Sequence, residues 1–149
     1  EYVDEPVDLV RVLKMALLHD LVEVDAGDTF CYDEEAGLDK EQREKAAADR
    51  IYSLLPEDQR EEYLGLWQEF EGRRTPEARF AVCLDRLQPM LHNYYTQGGT
   101  WVKYRVPLSK VQERMRPVKE ASAELGEFLE ELIAHAVAQG FLEEEEPGT

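Results

Sequence analysis

Alternating runs of β-branched residues are missing from this 149-residue sequence, and so is any apolar run near the roughly 20 residues that span a bilayer. The first absence argues against sheets and barrels, and the second against a membrane-spanning helix. Cysteine is scarce: Cys31 and Cys83 are too few and too far apart for a disulfide framework, so free thiols in a reducing cytoplasm are expected. No signal peptide is visible. Basic residues are few as well, with 17 Lys and Arg against 33 Asp and Glu and a formal net charge of −16. Such a surface repels nucleic-acid backbones and anionic membranes, so neither a polynucleotide nor a membrane is expected as partner. Surface charge is screened beyond about 8 Å, however. A small anion could still be accepted where a pocket supplies a local cation, and that requirement points to a metal.

What is present is ordinary globular material, 43% hydrophobic and 34% charged. One domain is expected over residues 1–142, followed by an acidic tail over 143–149 that carries Glu143 to Glu146 and Pro147-Gly148. The chain opens on Glu1-Tyr2-Val3 rather than Met and reads there like the end of a helix, so further residues are expected upstream.

Helix punctuation recurs along the chain. A first helix is expected from near Pro6 to about Val24, with Val10, Leu13, Leu17 and Leu21 as its buried stripe. A loop then runs from Asp25 to about Gly37. Asp39 and Gln42 have the spacing of a capping box, opening a second helix that Pro56 ends at Leu55. Pro56-Glu57-Asp58 starts a third, whose Tyr63, Leu66, Trp67 and Phe70 form one apolar face before Gly72. Thr75-Pro76-Glu77 caps a fourth, striped by Phe80, Leu84, Leu87 and Leu91 and running to about Tyr94. Gln97-Gly98-Gly99 breaks the chain. Ser109 and Gln112 open another helical stretch, which Pro117 should kink or divide. The last helix carries Leu125, Phe128, Leu129, Leu132, Ile133 and Ala136. The fold class is therefore all-α, a bundle of five to six helices. The apolar last helix serves the core or a homodimer interface equally well.

A bundle has little use for ionisable groups inside, and two places break that rule. His19-Asp20 lies in the nearly all-apolar Met15-Ala16-Leu17-Leu18-His19-Asp20-Leu21-Val22, so at least one of the pair should be buried. Glu23 comes one turn later on the same side. A nitrogen and a carboxylate oxygen offered together suit a divalent ion. The plain alternative is a core histidine with Asp20 at the helix surface. The second place is Asp85, half-buried four residues before Pro89; pairing with Arg86 on the surface is its plain alternative. Glu23, Asp25 and Asp28 also crowd a helix end, where the macrodipole disfavours negative charge. Gly27 permits a turn that swings Asp28 back towards His19.

The string from Leu17 to Val24 with Ala26-Gly27-Asp28-Thr29 resembles the central signature of the HD-domain superfamily, in particular the small HD hydrolases that include bacterial 5′-deoxynucleotidases. Thr75-Pro76-Glu77-Ala78-Arg79-Phe80 leading to Leu84-Asp85-Arg86-Leu87-Gln88-Pro89 resembles the segment that supplies that family's last aspartate. Asn93-Tyr94, Gly98 and Trp101 resemble the family's next region along the chain. The resemblance implies an HD-domain helical bundle and a divalent metal (Mn, Co, Mg or Zn) held by His19, Asp20 and Asp85, with Glu23 and Asp28 as the catalytic acids. It implies a cytoplasmic phosphohydrolase that takes the 5′-phosphate from nucleoside or deoxynucleoside monophosphates. Other HD activities stay open: a phosphodiesterase or signalling-nucleotide hydrolase, or a non-catalytic metal- or nucleotide-binding module. The sequence departs from the family at its first histidine, since His92 and His135 both lie downstream and match ordinary helix positions. Arg79 and Arg86 flank Asp85, with surface pairing the expected role for each.

Overall fold

The computed structural model describes residues 2–33 and 38–143. Gly37, the expected end of the first loop, and the expected acidic tail from residue 144 onward lie outside the described residues. Every element among the described residues is helical. In chain order these are α1 (Leu9–Leu18), a 3-10 turn (His19–Val22), α2 (Glu23–Ala26), α3 (Lys40–Tyr52), α4 (Glu57–Gly72), α5 (Pro76–Tyr95), α6 (Gly99–Tyr104), α7 (Leu108–Ala121) and α8 (Ala123–Ala138). Among the described residues, six of the eight α-helices have ten residues or more, which matches the expected bundle. The chain forms two compact units. One spans Val7–Ala81, and the other takes the residues from Val82 onward with the opening stretch through Pro6.

In the first unit α1 starts at Asp8, whose carboxylate accepts from the Val10 and Arg11 amides at 2.9 and 3.3 Å, an N-cap that stands in for the expected Pro6 start. The expected stripe is overturned: Val10, Leu13, Leu17 and Leu21 are exposed, Leu17 by 75%, while Val12, Met15 and Val22 are buried. Positions 12, 15 and 22 also repeat at helical spacing, so α1 carries two apolar rows and periodicity cannot choose between them. Arg11 pairs with Glu69 and Lys14 with Glu62, so the Arg11–Met15 side of the helix faces α4.

The long first helix is also interrupted. At His19 it tightens into a 3-10 turn before resuming as α2. The Tyr52 hydroxyl donates to the carbonyl of Leu18 at 3.0 Å at that very place, so a side chain from α3 occupies a backbone acceptor where the ladder changes pitch. Val22, Ala47, Ala48, Tyr52 and Trp67 form the buried cluster beneath it, flanked by Leu18, Ala26, Ile51 and Leu55. α3 begins after Asp39 as expected, but no capping bond forms there; the Asp39 carboxylate takes Arg43 Nε at 2.9 Å instead. The apolar face expected of α4 is present, with Leu66, Trp67 and Phe70 buried.

In the second unit Asn93 is buried near the end of α5 and ties that helix to α6. Its amide nitrogen donates to the Pro89 carbonyl at 3.0 Å, and its oxygen accepts from the Thr100 amide and hydroxyl at 2.7 and 2.9 Å. Of the expected α5 stripe only Leu87 is buried, and Leu84 is exposed; Ala78, Ala81, Val82, Cys83 and Met90 make up the rest of its buried side. α7 runs through Pro117 to Ala121, and the division comes at Ser122. There the backbone turns extended and the Ser122 hydroxyl accepts from the Leu125 amide at 3.1 Å, capping α8. Leu129, Leu132, Ile133 and Ala136 of α8 are buried as expected, while Phe128 is exposed.

Candidate functional site

The 3-10 turn, α2 and the residues up to Thr29 form a segment in which polar chemistry is concentrated. His19 lies at its head. The imidazole is 12% exposed and stacks on the Phe70 ring of α4, with centroids 4.4 Å apart. Its Nδ1 lies 2.9 Å from the Ala16 carbonyl, an acceptor that requires a proton on that nitrogen when the ring is neutral. In that tautomer Nε2 bears a lone pair, and it stands 3.0 Å from Oδ1 of Asp20. Two lone-pair atoms at this distance need a cation between or beside them, either a second proton on the ring or a metal ion. A backbone carbonyl that fixes the tautomer of a histidine is also how metal-binding imidazoles are oriented. The donor chemistry of the pair therefore fits a divalent ion. Asp20 itself is 68% exposed, so the burial expected of the pair falls on His19.

Glu23 opens α2. Burial, and then the negative charges of Asp20 and Asp28, push its carboxyl above the ordinary glutamate value, with Lys40 pulling the other way. The ammonium of Lys40 lies 3.9 Å from Glu23 and 3.2 Å from the buried Glu44. Gly27 takes φ +79°, the left-handed value that the tight turn before Asp28 requires. Asp25 is drawn off to Arg50, whose hydrogen bond holds its carboxyl below the ordinary aspartate value. Of the three crowded acids, Glu23 thus interacts with both Asp20 and Asp28, while Asp25 is part of a structural pair.

Asp85 lies on α5 in the other unit, where its carboxylate meets Arg86 Nη1 at 3.2 Å, the pairing expected as its plain alternative. Among the described residues no group of three or more His, Cys, Asp or Glu side chains comes together to hold a metal. Arg79 donates to the Arg74 carbonyl at 3.0 Å. His135 Nδ1 lies 2.7 Å from the Tyr94 hydroxyl and His92 is exposed, ordinary helix roles for both.

Sequence reasoning missed the basic row of α3. Lys40, Arg43 and Arg50 reach Glu23, the Ala26 carbonyl with Thr29, and Asp25 in turn. Their spacing of three and seven residues places them on one face of a helix, the signal that was there to be read.

A family model described as "HD domain" matches residues 1–126. The chain is 38% identical over 98 residues to the 5′-deoxynucleotidase HDDC2 of Danio rerio, covering 64% of this chain and 49% of that protein. It is 36% identical over 88 residues to the Homo sapiens protein of the same name, covering 59% and 43%. The chain thus spans less than half the length of these curated relatives. A crystal structure described as a predicted metal-dependent phosphohydrolase from Magnetospirillum magnetotacticum MS-1 is similar with a TM-score of 0.90 and 50% identity, covering 95% of this chain and 70% of that one. With the signature around His19-Asp20 lying inside the matched span, the chain belongs to the HD domain family.

Proposed function

We propose that this protein is a metal-dependent phosphohydrolase that removes the 5′-phosphate from nucleoside monophosphates, deoxy forms included. Membership of the HD domain family implies a divalent metal. The observation that carries the reading is the His19–Asp20 pair, a tautomer-fixed imidazole nitrogen 3.0 Å from a carboxylate oxygen, beside the second-acid pair Glu23 and Asp28. A structural metal has no need of spare carboxylates, whereas hydrolysis does. The relatives named as 5′-deoxynucleotidases support the substrate class. His19 and Asp20 would hold the ion with Asp85 as the further ligand, and residues 1–142 would act as one HD domain. When bound, a divalent ion supplies Lewis acidity towards a phosphoryl oxygen and makes water more acidic. Glu23, one turn after the His19-Asp20 pair, takes the proton of the attacking water. Asp28 orients that water or protonates the leaving 5′ oxygen. Two cysteines, too few for a disulfide framework, agree with work in the cytoplasm. Among the described residues no helix is long and apolar enough to cross a membrane.

The test is phosphate release from a panel of nucleoside and deoxynucleoside monophosphates with Mn²⁺, Co²⁺, Mg²⁺ or chelator. Asp20→Ala and Glu23→Gln are assayed alongside. Metal-dependent release that both variants lose is the expected result. No release from folded, metal-loaded protein with any monophosphate would sink the reading.

A further inference from the structure

Arg43 uses every nitrogen of its guanidinium. Nη1 donates to the Ala26 carbonyl, Nη2 to the Thr29 hydroxyl at 3.1 Å, and Nε to Asp39 at 2.9 Å. Residues 26 and 29 are the two flanks of Gly27-Asp28. That turn leaves α2 through the left-handed Gly27, where glycine gives the backbone its greatest freedom. A planar guanidinium presents its N–H groups in a rigid fork, so two contacts from one such group set the separation of what they touch. The contact with Asp39, the residue just before α3, holds the fork itself in place. Lys40, anchored by buried Glu44, contacts Glu23 from the same helix. One rigid element therefore grips both segments that carry the paired acids.

We propose that Arg43 is a positioning residue of the site, clamping the turn at Ala26 and Thr29 so that Asp28 keeps its working distance from Glu23. The catalytic part of this inference rests on the nucleotidase reading, while the clamp stands on geometry alone. Two carboxylates that share one water must hold their separation closely, since a misplacement of about 1 Å costs on the order of 100-fold in rate.

The experiment pairs hydrogen–deuterium exchange of the full chain with steady-state kinetics on deoxynucleoside monophosphates, for wild type, Arg43→Met, Arg43→Lys, Asp28→Asn and the Arg43→Met/Asp28→Asn double variant. In Arg43→Met the amides of residues 27–29 exchange faster while those of α1 do not, and kcat falls roughly 10- to 100-fold with KM little changed. Arg43→Lys recovers little, because a single ammonium cannot bridge both flanks. The double variant is no slower than Asp28→Asn alone, the non-additivity of two residues acting through one group. Unchanged exchange at 27–29, an unchanged kcat, or additive losses would each overturn the proposal. A wild type that releases no phosphate overturns the nucleotidase reading and the catalytic part with it, and the exchange data still decide the clamp. Should Arg43→Met not fold, Thr29→Val removes one arm of the clamp and carries the same measurements.

Discussion

The hydroxyl of Tyr52 donates to the carbonyl of Leu18 at 3.0 Å, joining α3 to the last residue before His19. Tyr52 is almost fully buried, and burial pushes its phenol up to about 12. Removing the hydroxyl in Tyr52→Phe costs the fold about 0.5–1.5 kcal/mol, read from urea unfolding at pH 8. The phenol's folded pKa lies above its ordinary 10.0, so the stability it contributes is fully present below pH 10 and is lost as pH rises towards 12. The gap between wild type and Tyr52→Phe should accordingly narrow between those values. A gap that holds constant there contradicts the assignment.

Glu69 gives the opposite pH dependence. Its carboxylate accepts from Arg11 Nε at 3.1 and 3.0 Å and from the Thr75 hydroxyl at 2.6 Å. The Arg11 bond first, then that of Thr75, hold its carboxyl below the ordinary value of 4.5 against the opposing effect of burial. A depressed folded pKa contributes stability that is present above pH 4.5 and disappears as pH falls through the folded value. Glu69→Gln should therefore be less stable than wild type at pH 7 by about 1 kcal/mol, since Arg11 is half exposed and solvent screens the pair. The difference should shrink on acidification below pH 4, which urea titrations at both pH values measure.

Glu23→Gln should separate function from stability. Burial and the charges of Asp20 and Asp28 disfavour the ionised Glu23, so the neutral amide relieves the fold slightly at pH 7 in the metal-free protein. The same change removes the proposed base. A higher Tm in chelator together with lost phosphate release is the expected pair of results. A lower Tm would show that the contact with Lys40 outweighs the repulsion.

The two thiols should differ in reactivity. Cys31 is exposed, while Cys83 is buried and its thiol pushed up to about 11. At pH 8 iodoacetamide should label Cys31 within minutes and Cys83 only in denaturant, as mass spectrometry of the peptides reports.

Gly98 holds a position that no other residue fits. Its φ is +102°, and an added Cβ would run into Val102 Cγ2 and lie 2.8 Å from the Phe141 carbonyl oxygen. Gly98→Ala should cost roughly 2–4 kcal/mol from backbone strain and crowding together. Thermal unfolding monitored by circular dichroism checks this.

Much of this protein could be read from its residues. Helix existence followed from apolar periodicity and from Pro, Gly and Asp punctuation, because those are local effects that act within a turn or two of chain. His19 and Asp20 stood out because ionisable groups in an apolar helix are costly without a purpose, and Glu23 and Asp28 because acids crowd a helix end that disfavours them. Three features required the tertiary structure. Which apolar row of α1 is buried depends on what the helix packs against, and its Arg11 and Lys14 side meets Glu69 and Glu62 of α4, residues about fifty positions away. The 3-10 turn at His19 coincides with a hydroxyl arriving from Tyr52. The hold of Arg43 on the Asp28 turn joins segments that periodicity treats separately. Each is a contact between distant residues, and the geometry of such a contact is set only when the chain has brought both partners into place.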